Sequence, residues 1–469
     1  MINGRSFLNS RVGIIALGTI VSILVWVVVR TLHTQPERIG LFLIAPPLMF
    51  LGIIDRAFAA ISVLAIIFFG PIFEIPVSLG KIVGAGITTF HLGVDILKRR
   101  RISLDNNLFL FGYASIIVLS GVVNDLGVFN YGNKVILFNL ATYLMIRYLL
   151  RNIEDIKRFL RLYCYLILSV SVVVFIQGRE GARLLSEDPT LSLFGSSANM
   201  FAFLLALTMP SCYYFLIFTK RHHWRGFFWG VSVFLFALLI WSASRSGMLG
   251  FFAGVSIICF YARPKVLKRL IAPTLIVVIA VSILLLPGEV WEYSLARYLN
   301  LTPGTIASTD SRIALTRGAL EAIPRNLVIG VGGIGEGMRD YLFPYTGYYK
   351  SAHSTPLTVL LQYGIPGFVL FYLALFYAFW YCRRSEAFFS EKLDEKAKWI
   401  AIITISTLAS YTVISIFLDG ADFKPLYIFL GIAQVLKGIF ENGKREIPFD
   451  IRSVQTYRMG SDGRLIERP

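Results

Sequence analysis

The sequence predicts an all-α polytopic membrane protein with about 12–14 transmembrane helices and one large outward loop that contains short helices. Three observations carry this. The 469 residues are 56% hydrophobic with a mean hydropathy of +0.68, above the roughly 45–50% apolar content of soluble domains. Apolar runs long enough to cross a bilayer recur along the chain. Basic clusters fall in alternate connections, which is the pattern that sets orientation in membranes. The net charge of +17 is spread through these short clusters, so it speaks for topology and against a nucleic-acid partner.

Taken in order, the apolar runs place spans at about 12–29, 39–54, 57–73, 77–97, 106–122, 133–149, 159–177, 198–218, 226–243, 247–262, 270–287, 355–380, 398–418 and 424–439. The final short run and the 57–97 pair carry the thinnest signal. The basic segment MINGRSFLNSR precedes the first span directly and reads as a signal anchor. With that end inside, the inside connections hold Lys98 to Arg101, then Arg151, Lys157 and Arg158, then Lys220, Arg221 and Arg225. Arg263, Lys265, Lys268 and Arg269 follow, then Arg383, Arg384 and the EKLDEKAK stretch, and the parity never breaks. The expected organisation is a single membrane domain: spans over 1–287 (about 11), a large outward loop at 288–352, C-terminal spans over 353–440, and a cytoplasmic tail from 441 to 469. Cys164, Cys212, Cys259 and Cys382 lie in or beside apolar runs, so no disulfide is expected.

The 288–352 loop is far longer than most connections, and loops of that length are usually functional. Arg297, Arg312, Arg317, Arg325, Arg339 and Lys350 are balanced by Glu289, Glu292, Asp310, Glu321, Glu336 and Asp340. Its arginines are therefore not a spill-over of general basicity. In SASRSGMLG (242–250), Arg245 stands at the junction of two spans, with Ser244 or Ser246 able to cap the second. A cation at a helix N-terminus opposes the macrodipole, yet beside the free N–H groups it makes a phosphate site. An arginine snorkelling to lipid headgroups is the competing account. In STDSRIALTRGALEAIPRN (308–326), Asp310 or Ser311 can cap a short amphipathic helix that Pro324 ends. Arg312 then falls in its first turn and Arg317 in its middle. A surface Asp310–Arg312 pair is the plainer alternative and is worth little. Arg179, Arg183 and Asn199 lie in the outward segment 178–203, where a polar loop with an Asn N-cap accounts for most of the residues. GVGGIG (330–335) matches G-x-G-x-x-G but lacks a βαβ setting, so it reads as a turn.

His353 precedes Ser354, Thr355 and Pro356 and then a long apolar run. Ser or Thr at an N-cap with Pro in the first turn starts a helix, which puts this histidine at a helix mouth. Counting at 100° per residue brings Gly364 and Gly367 close to its face, where another helix could approach. A histidine pKa of about 6.5 suits a general base near neutral pH. Tyr341, Tyr345, Tyr348 and Tyr349 could stack on sugars or serve as interfacial belt residues. His33, His91, His222 and His223 have no titratable company of ligand spacing, so no protein-bound metal is expected.

His353-Ser354, nine residues and then Gly364-x-x-Gly367 resemble the H-[N/S]-x9-G-x-x-G pattern of the O-antigen ligase and O-antigen polymerase superfamily. SASRSGMLG is similar to that family's S-R-[S/T]-G element. The run from Ser311 to Gly335 resembles its arginine-then-P-x-x-G-x-G loop. The region from Arg183 to Asn199 is similar to its R-to-N loop, with SSAN replacing the usual Asn-Pro-Asn. The resemblance covers 178–380. It implies a metal-independent, inverting membrane glycosyltransferase without cofactor, in the bacterial inner membrane with both termini cytoplasmic. The donor would be a glycan on undecaprenyl diphosphate at the periplasmic face. Arg245 and Arg312 would clamp the diphosphate, with Arg183, Arg179 and Asn199 also on the donor, and His353 would be the base. The acceptor is a glycan for a polymerase, and lipid A-core or protein for a ligase. The span count favours a polymerase of O-antigen or exopolysaccharide repeat units, with a chain-length regulator as its expected partner. A flippase of lipid-linked sugars is the alternative from another class. It is disfavoured because internal repeats are not evident and mid-span charges are few, with Asp95 and Arg147 near span ends.

Overall fold

The computed structural model describes residues 55–69, 107–126, 131–180, 198–262, 303–333, 337–348, 352–421 and 423–445, with isolated positions at 87–94 and 276–299 and four in the tail. Twelve α-helices lie within them. They are α1 (Arg56–Phe69), α2 (Leu108–Val123), α3 (Tyr131–Leu149), α4 (Ile153–Glu180), α5 (Ala198–Phe218), α6 (His222–Trp241), α7 (Arg245–Tyr261), α8 (Pro303–Ala322), α9 (Gly337–Thr346), α10 (Thr355–Glu391), α11 (Glu395–Phe417) and α12 (Lys424–Arg445). Arg458–Met459 and Leu465–Ile466 form a two-residue antiparallel ladder in the tail. Five helices (α4, α5, α6, α10 and α11) are long and apolar enough to cross a membrane, and α1, α2, α3 and α7 are shorter apolar helices. The chain is an all-α polytopic membrane protein. The expected spans at 12–29, 39–54, 77–97 and 270–287 fall outside the described residues or touch them only at isolated positions.

A helix apolar on every side can face lipid or protein alike, so burial is what marks the middle of the bundle. ANMFAFLLALTMPSCYYFLIF in α5 is such a helix, and 89% of its apolar window is buried. α11 lies beside it and packs on α7 and α10 as well. The α7–α11 crossing is built from small residues: a Cβ on Gly250 or Gly254 would run into Ile414, Ser410 or Ser406. The Ser406 hydroxyl donates to the Gly254 carbonyl at 2.7 Å. Without a hydrophobic drive between helices in lipid, such close backbone approach is what holds a pair together. Asn107, the N-cap of α2, ties three helices: its Nδ2 donates to Ala374 O in α10 at 2.9 Å, and its N–H donates to the Tyr143 hydroxyl of α3 at 3.0 Å.

α10 is not a straight rod. At Gly364 the backbone leaves the helix with φ +64° and ψ −169°. Two residues on, Pro366 has no N–H for the Gln362 carbonyl, which a regular helix would pair with it. Neighbouring segments complete the broken ladder. The N–H groups of Val331 and Gly332 donate to Leu361 O and Gln362 O at 3.0 and 2.9 Å, and Ile365 N–H donates to Leu327 O at 2.8 Å. The Ser120 hydroxyl of α2 reaches Ile329 O at 2.7 Å and Gln362 O at 3.1 Å. Asn124 Nδ2 adds a bond to Gly330 O at 3.1 Å. The glycine-rich segment expected to be a turn is thus the staple across a broken helix.

That geometry corrects the face argument for Gly364 and Gly367. The break voids a 100° count from His353, and what approaches Gly364 is loop backbone, since a Cβ there would stand 2.6 Å from Leu327 O and 2.7 Å from Val328. At Gly367 an added Cβ would run into the Tyr363 side chain of α10 itself, and the Ile116 side chain of α2 lies 3.5 Å away.

Candidate active site

The mouth of α10 carries His353. Ser354 is the N-cap and Pro356 lies in the first turn, though the Ser354 side chain makes no capping bond. Anchoring comes instead from Thr355, which is fully buried. Its N–H and hydroxyl both donate to Leu418 O, at 3.2 and 2.8 Å, and its hydroxyl oxygen accepts from Gly420 N–H at 2.9 Å. The end of α11 is thereby locked to the start of α10. His353, half-buried, sits just before this clamp in the left-handed region with φ +50°. A residue with a side chain pays about 1–3 kcal/mol for such a backbone, a strain that clusters at active sites.

Arg245 opens α7. Ala243 turns with φ +49°, Ser244 is the N-cap, and its hydroxyl oxygen accepts from Gly247 N–H at 3.3 Å. Of the two serines able to cap, Ser244 does so. Arg245 is half-exposed in the first turn and forms no ion pair or hydrogen bond among the described residues. Its turn is linked by contact to the mouth of α10. An added Cβ on Gly247 would stand 2.7 Å from Ala202 of α5, and one on Gly420 would stand 2.7 Å from the neighbouring Phe203. The Gly420 N–H is the one bound to Thr355. Arg245, the first turn of α5 and His353 therefore share one end of the bundle.

Arg312 is placed differently from the expectation. α8 begins at Pro303, so Asp310 and Ser311 are interior residues, not caps, and Arg312 lies well past the first turn. The macrodipole argument for an anion there does not hold. Arg312 is half-buried beside buried Ser311, and Arg317 further along α8 is exposed. The helix ends at Ala322 and passes into a 3-10 turn containing Pro324. Ala319, Ala322, Met338 and Leu342 of α8 and α9 form a small core with Ala352 and Leu361. This seats the α8–α9 pair on the first part of α10, next to His353.

Two of the four tyrosines act within that pair. Asn326 Nδ2 donates to the Tyr341 hydroxyl at 2.5 Å, and Arg325 donates to the Tyr345 hydroxyl at 3.0 Å while lying over its ring. Burial, with Tyr345 alongside, raises the Tyr341 phenol above its ordinary pKa, so it stays protonated at neutral pH. Tyr348 is exposed.

Arg179 belongs to the last turn of α4 and not to a loop, whereas Arg183 lies outside the described residues. Asn199 is the second residue of α5, half-buried, so it is inside the first turn and not at the N-cap. One residue escaped the sequence reading. Asp419 stands between Leu418 and Gly420, the two backbone partners of Thr355, and so puts a half-exposed carboxylate at the mouth of α10. An acid-glycine pair closing an apolar span was the available signal. Among the described residues no group of three or more His, Cys, Asp or Glu could hold a metal ion.

No curated protein sequence matches the chain. A family model described as O-Antigen ligase matches residues 230–372, somewhat under a third of the sequence. The matched segment contains Arg245, Arg312, His353 and the broken part of α10, while Arg179, Arg183 and Asn199 fall before it. The turn at Arg245, the stapled break and the histidine mouth all lie inside that match, so over these residues the chain is similar to the O-antigen ligase family.

Proposed function

We propose that the protein is an inverting, metal-independent glycosyltransferase of the bacterial inner membrane. It transfers a glycan from undecaprenyl diphosphate to an acceptor sugar hydroxyl at the periplasmic face. Polymerisation of O-antigen or exopolysaccharide repeat units is the favoured reaction. The observation that carries the proposal is His353, held by strained backbone at a locked helix mouth, at the same end as Arg245, which has no carboxylate partner among the described residues.

In this mechanism His353 takes the proton of the acceptor hydroxyl as that oxygen attacks the anomeric carbon from the face opposite the diphosphate. The new C–O bond forms while the bond to the phosphate oxygen breaks, and its electron pair leaves with undecaprenyl diphosphate. Arg245 and Arg312 stabilise the growing negative charge, where a planar fork matches phosphate oxygens. Asp419 would orient the imidazole and steady its positive charge once the proton has moved. Asn199, Arg179 and Arg183 would hold the donor further out. The division into 1–287, 288–352, 353–440 and 441–469 follows from the same topology, with a chain-length regulator meeting the 288–352 loop.

Purified protein incubated with lipid-linked repeat units alone should lengthen chains. A reaction that starts only when lipid A-core is added would make it a ligase, the reading favoured by the description of the matching family. His353→Ala should lower transfer by roughly 10²–10⁴-fold while leaving donor binding largely intact. Near-normal transfer by that variant would sink the mechanism.

A further inference from the structure

The end of the bundle away from His353 holds a cavity that the transfer chemistry does not use. Since Thr355 binds the end of α11 and Gly420 abuts the start of α5, the start of α11 and the end of α5 lie at the opposite end. There Phe218 meets Trp399 with ring centroids 6.3 Å apart. Between α4, α5, α6 and α11 opens a cavity of about 380 Å³. Five of its lining residues are cationic (Lys157, Arg161, Lys220, Arg221 and Lys396), and none is a carboxylate.

Solvated basic loops are ordinary at one face of a membrane protein, so charge alone would mean little. Two further features make this a built site. The Tyr214 side chain lines the cavity and is fully buried, yet its hydroxyl has no hydrogen-bond partner among the described residues. A buried hydroxyl left unpaired costs on the order of a lost hydrogen bond, which a ligand acceptor would recover. The second is an aromatic wall. Phe215 stacks on Phe228 at 4.7 Å, Phe228 on Tyr165 at 6.0 Å, and Arg161 lies over the Phe215 ring at 5.5 Å. The nearby acids have partners: Glu154 pairs with Lys157 of the lining at 2.8 Å, which leaves Arg161, Lys220, Arg221 and Lys396 for a ligand, and Asp394 caps α11 by accepting from Ala397 N–H at 3.1 Å.

We propose that this cavity binds the phosphate headgroup of an anionic phospholipid. Arg161 and Arg221 face the phosphate oxygens, Tyr214 donates its hydroxyl to them, and the acyl chains run along Tyr165, Phe215 and Phe228. The chemistry fits: one phosphodiester charge for a basic pocket between helices, with apolar walls leading into the bilayer. This site is independent of the reading of the His353 end.

The test uses full-length protein in nanodiscs of phosphatidylcholine with or without phosphatidylglycerol, and counts lipids retained on release by native mass spectrometry. Wild type should retain phosphatidylglycerol in clear preference to phosphatidylcholine. Arg161→Gln with Arg221→Gln should lose that preference by about tenfold or more. Tyr214→Phe, which keeps the packing and removes only the donor, should weaken it several-fold and decides the matter if the double variant does not fold. Arg384→Gln, an exposed cation over Trp380, should change nothing. Equal retention of the two lipids, or full preference in both the double variant and Tyr214→Phe, would overturn the proposal. So would equal loss with Arg384→Gln. Displacement of the lipid by millimolar inorganic phosphate would identify free phosphate as the ligand and overturn the lipid assignment.

Discussion

Gly364→Ala is the sharpest test of the broken helix. The native backbone there, φ +64° with ψ −169°, is open in practice to glycine alone, and a residue with a Cβ pays roughly 1–3 kcal/mol to enter it. The added methyl would also stand 2.6 Å from Leu327 O and 2.7 Å from Val328 C and O. These are backbone atoms and cannot swing aside as a side chain would, so overpacking adds about 1–3 kcal/mol. Retreat of the 327–332 segment would relieve the clash only by giving up the bonds from Val331 and Gly332 to the open carbonyls of α10. The total is therefore roughly 2–6 kcal/mol, a large share of the 5–15 kcal/mol typical of folded proteins. Gly230→Ala in α6 is the control: nothing lies within 4 Å of its added Cβ, and a helix interior gains up to ~1 kcal/mol from the exchange. Unfolding in mixed micelles, followed by circular dichroism against denaturing detergent, should rank Gly230→Ala at or above wild type and Gly364→Ala far below. A Gly364→Ala protein within about 0.5 kcal/mol of wild type, the ordinary range of harmless substitutions, would refute the account.

Thr355→Val keeps the shape but removes the hydroxyl that bonds Leu418 O and Gly420 N–H. It should cost about 1–3 kcal/mol for the buried groups left unpaired and lower kcat more than donor affinity, measured as initial rates against donor concentration. Arg245→Lys should lose roughly 10²–10³-fold in transfer, because an ammonium cannot present two parallel N–H groups to a phosphate. Isothermal titration with the donor would show whether the loss resides in binding or in rate.

Where hydrophobicity alone decides, the sequence was readable to within a few residues: 198–218 coincides with α5, and 355, 398 and 424 lie within three residues of the starts of α10, α11 and α12. Apolar run length is a local property, and lipid imposes it on each span separately. The helix mouth at Ser354 and the cap at Ser244 were legible for the same reason, since caps depend on a few adjacent residues. The misreadings came from non-local structure. Nothing near Asp310 says that α8 already began at Pro303, because Gly304 and Thr305 are weak helix formers. Gly364 read as a flat packing face because the partner of its freed carbonyls comes from a segment about 30 residues upstream, Val331 and Gly332. Lys437 was passed over as a mid-helix cation. It is buried, donating to the Tyr377 hydroxyl at 2.6 Å with Glu441 3.8 Å away, so it is satisfied within the bundle.

The staple also makes a claim about how the α8–α9 pair, and Arg312 with it, stays in register with His353. Side chains of α8 and α9 reach α10 through a small core, whereas the adjoining loop reaches it through backbone bonds that only the helix break makes possible. Ser120 stands at the meeting point, outside every candidate catalytic group, holding both Ile329 O and Gln362 O. Ser120→Ala would leave those two carbonyls with one partner fewer and cost about 1–3 kcal/mol. If the loop's only task were to fold, the variant would melt earlier but keep full transfer per folded molecule. If the staple sets the spacing between the two halves of the site, transfer per folded molecule falls with it, and donor affinity falls too because Arg312 moves with the loop. We expect the second outcome. A lowered melting point with unchanged donor affinity and rate would leave the staple a purely structural device.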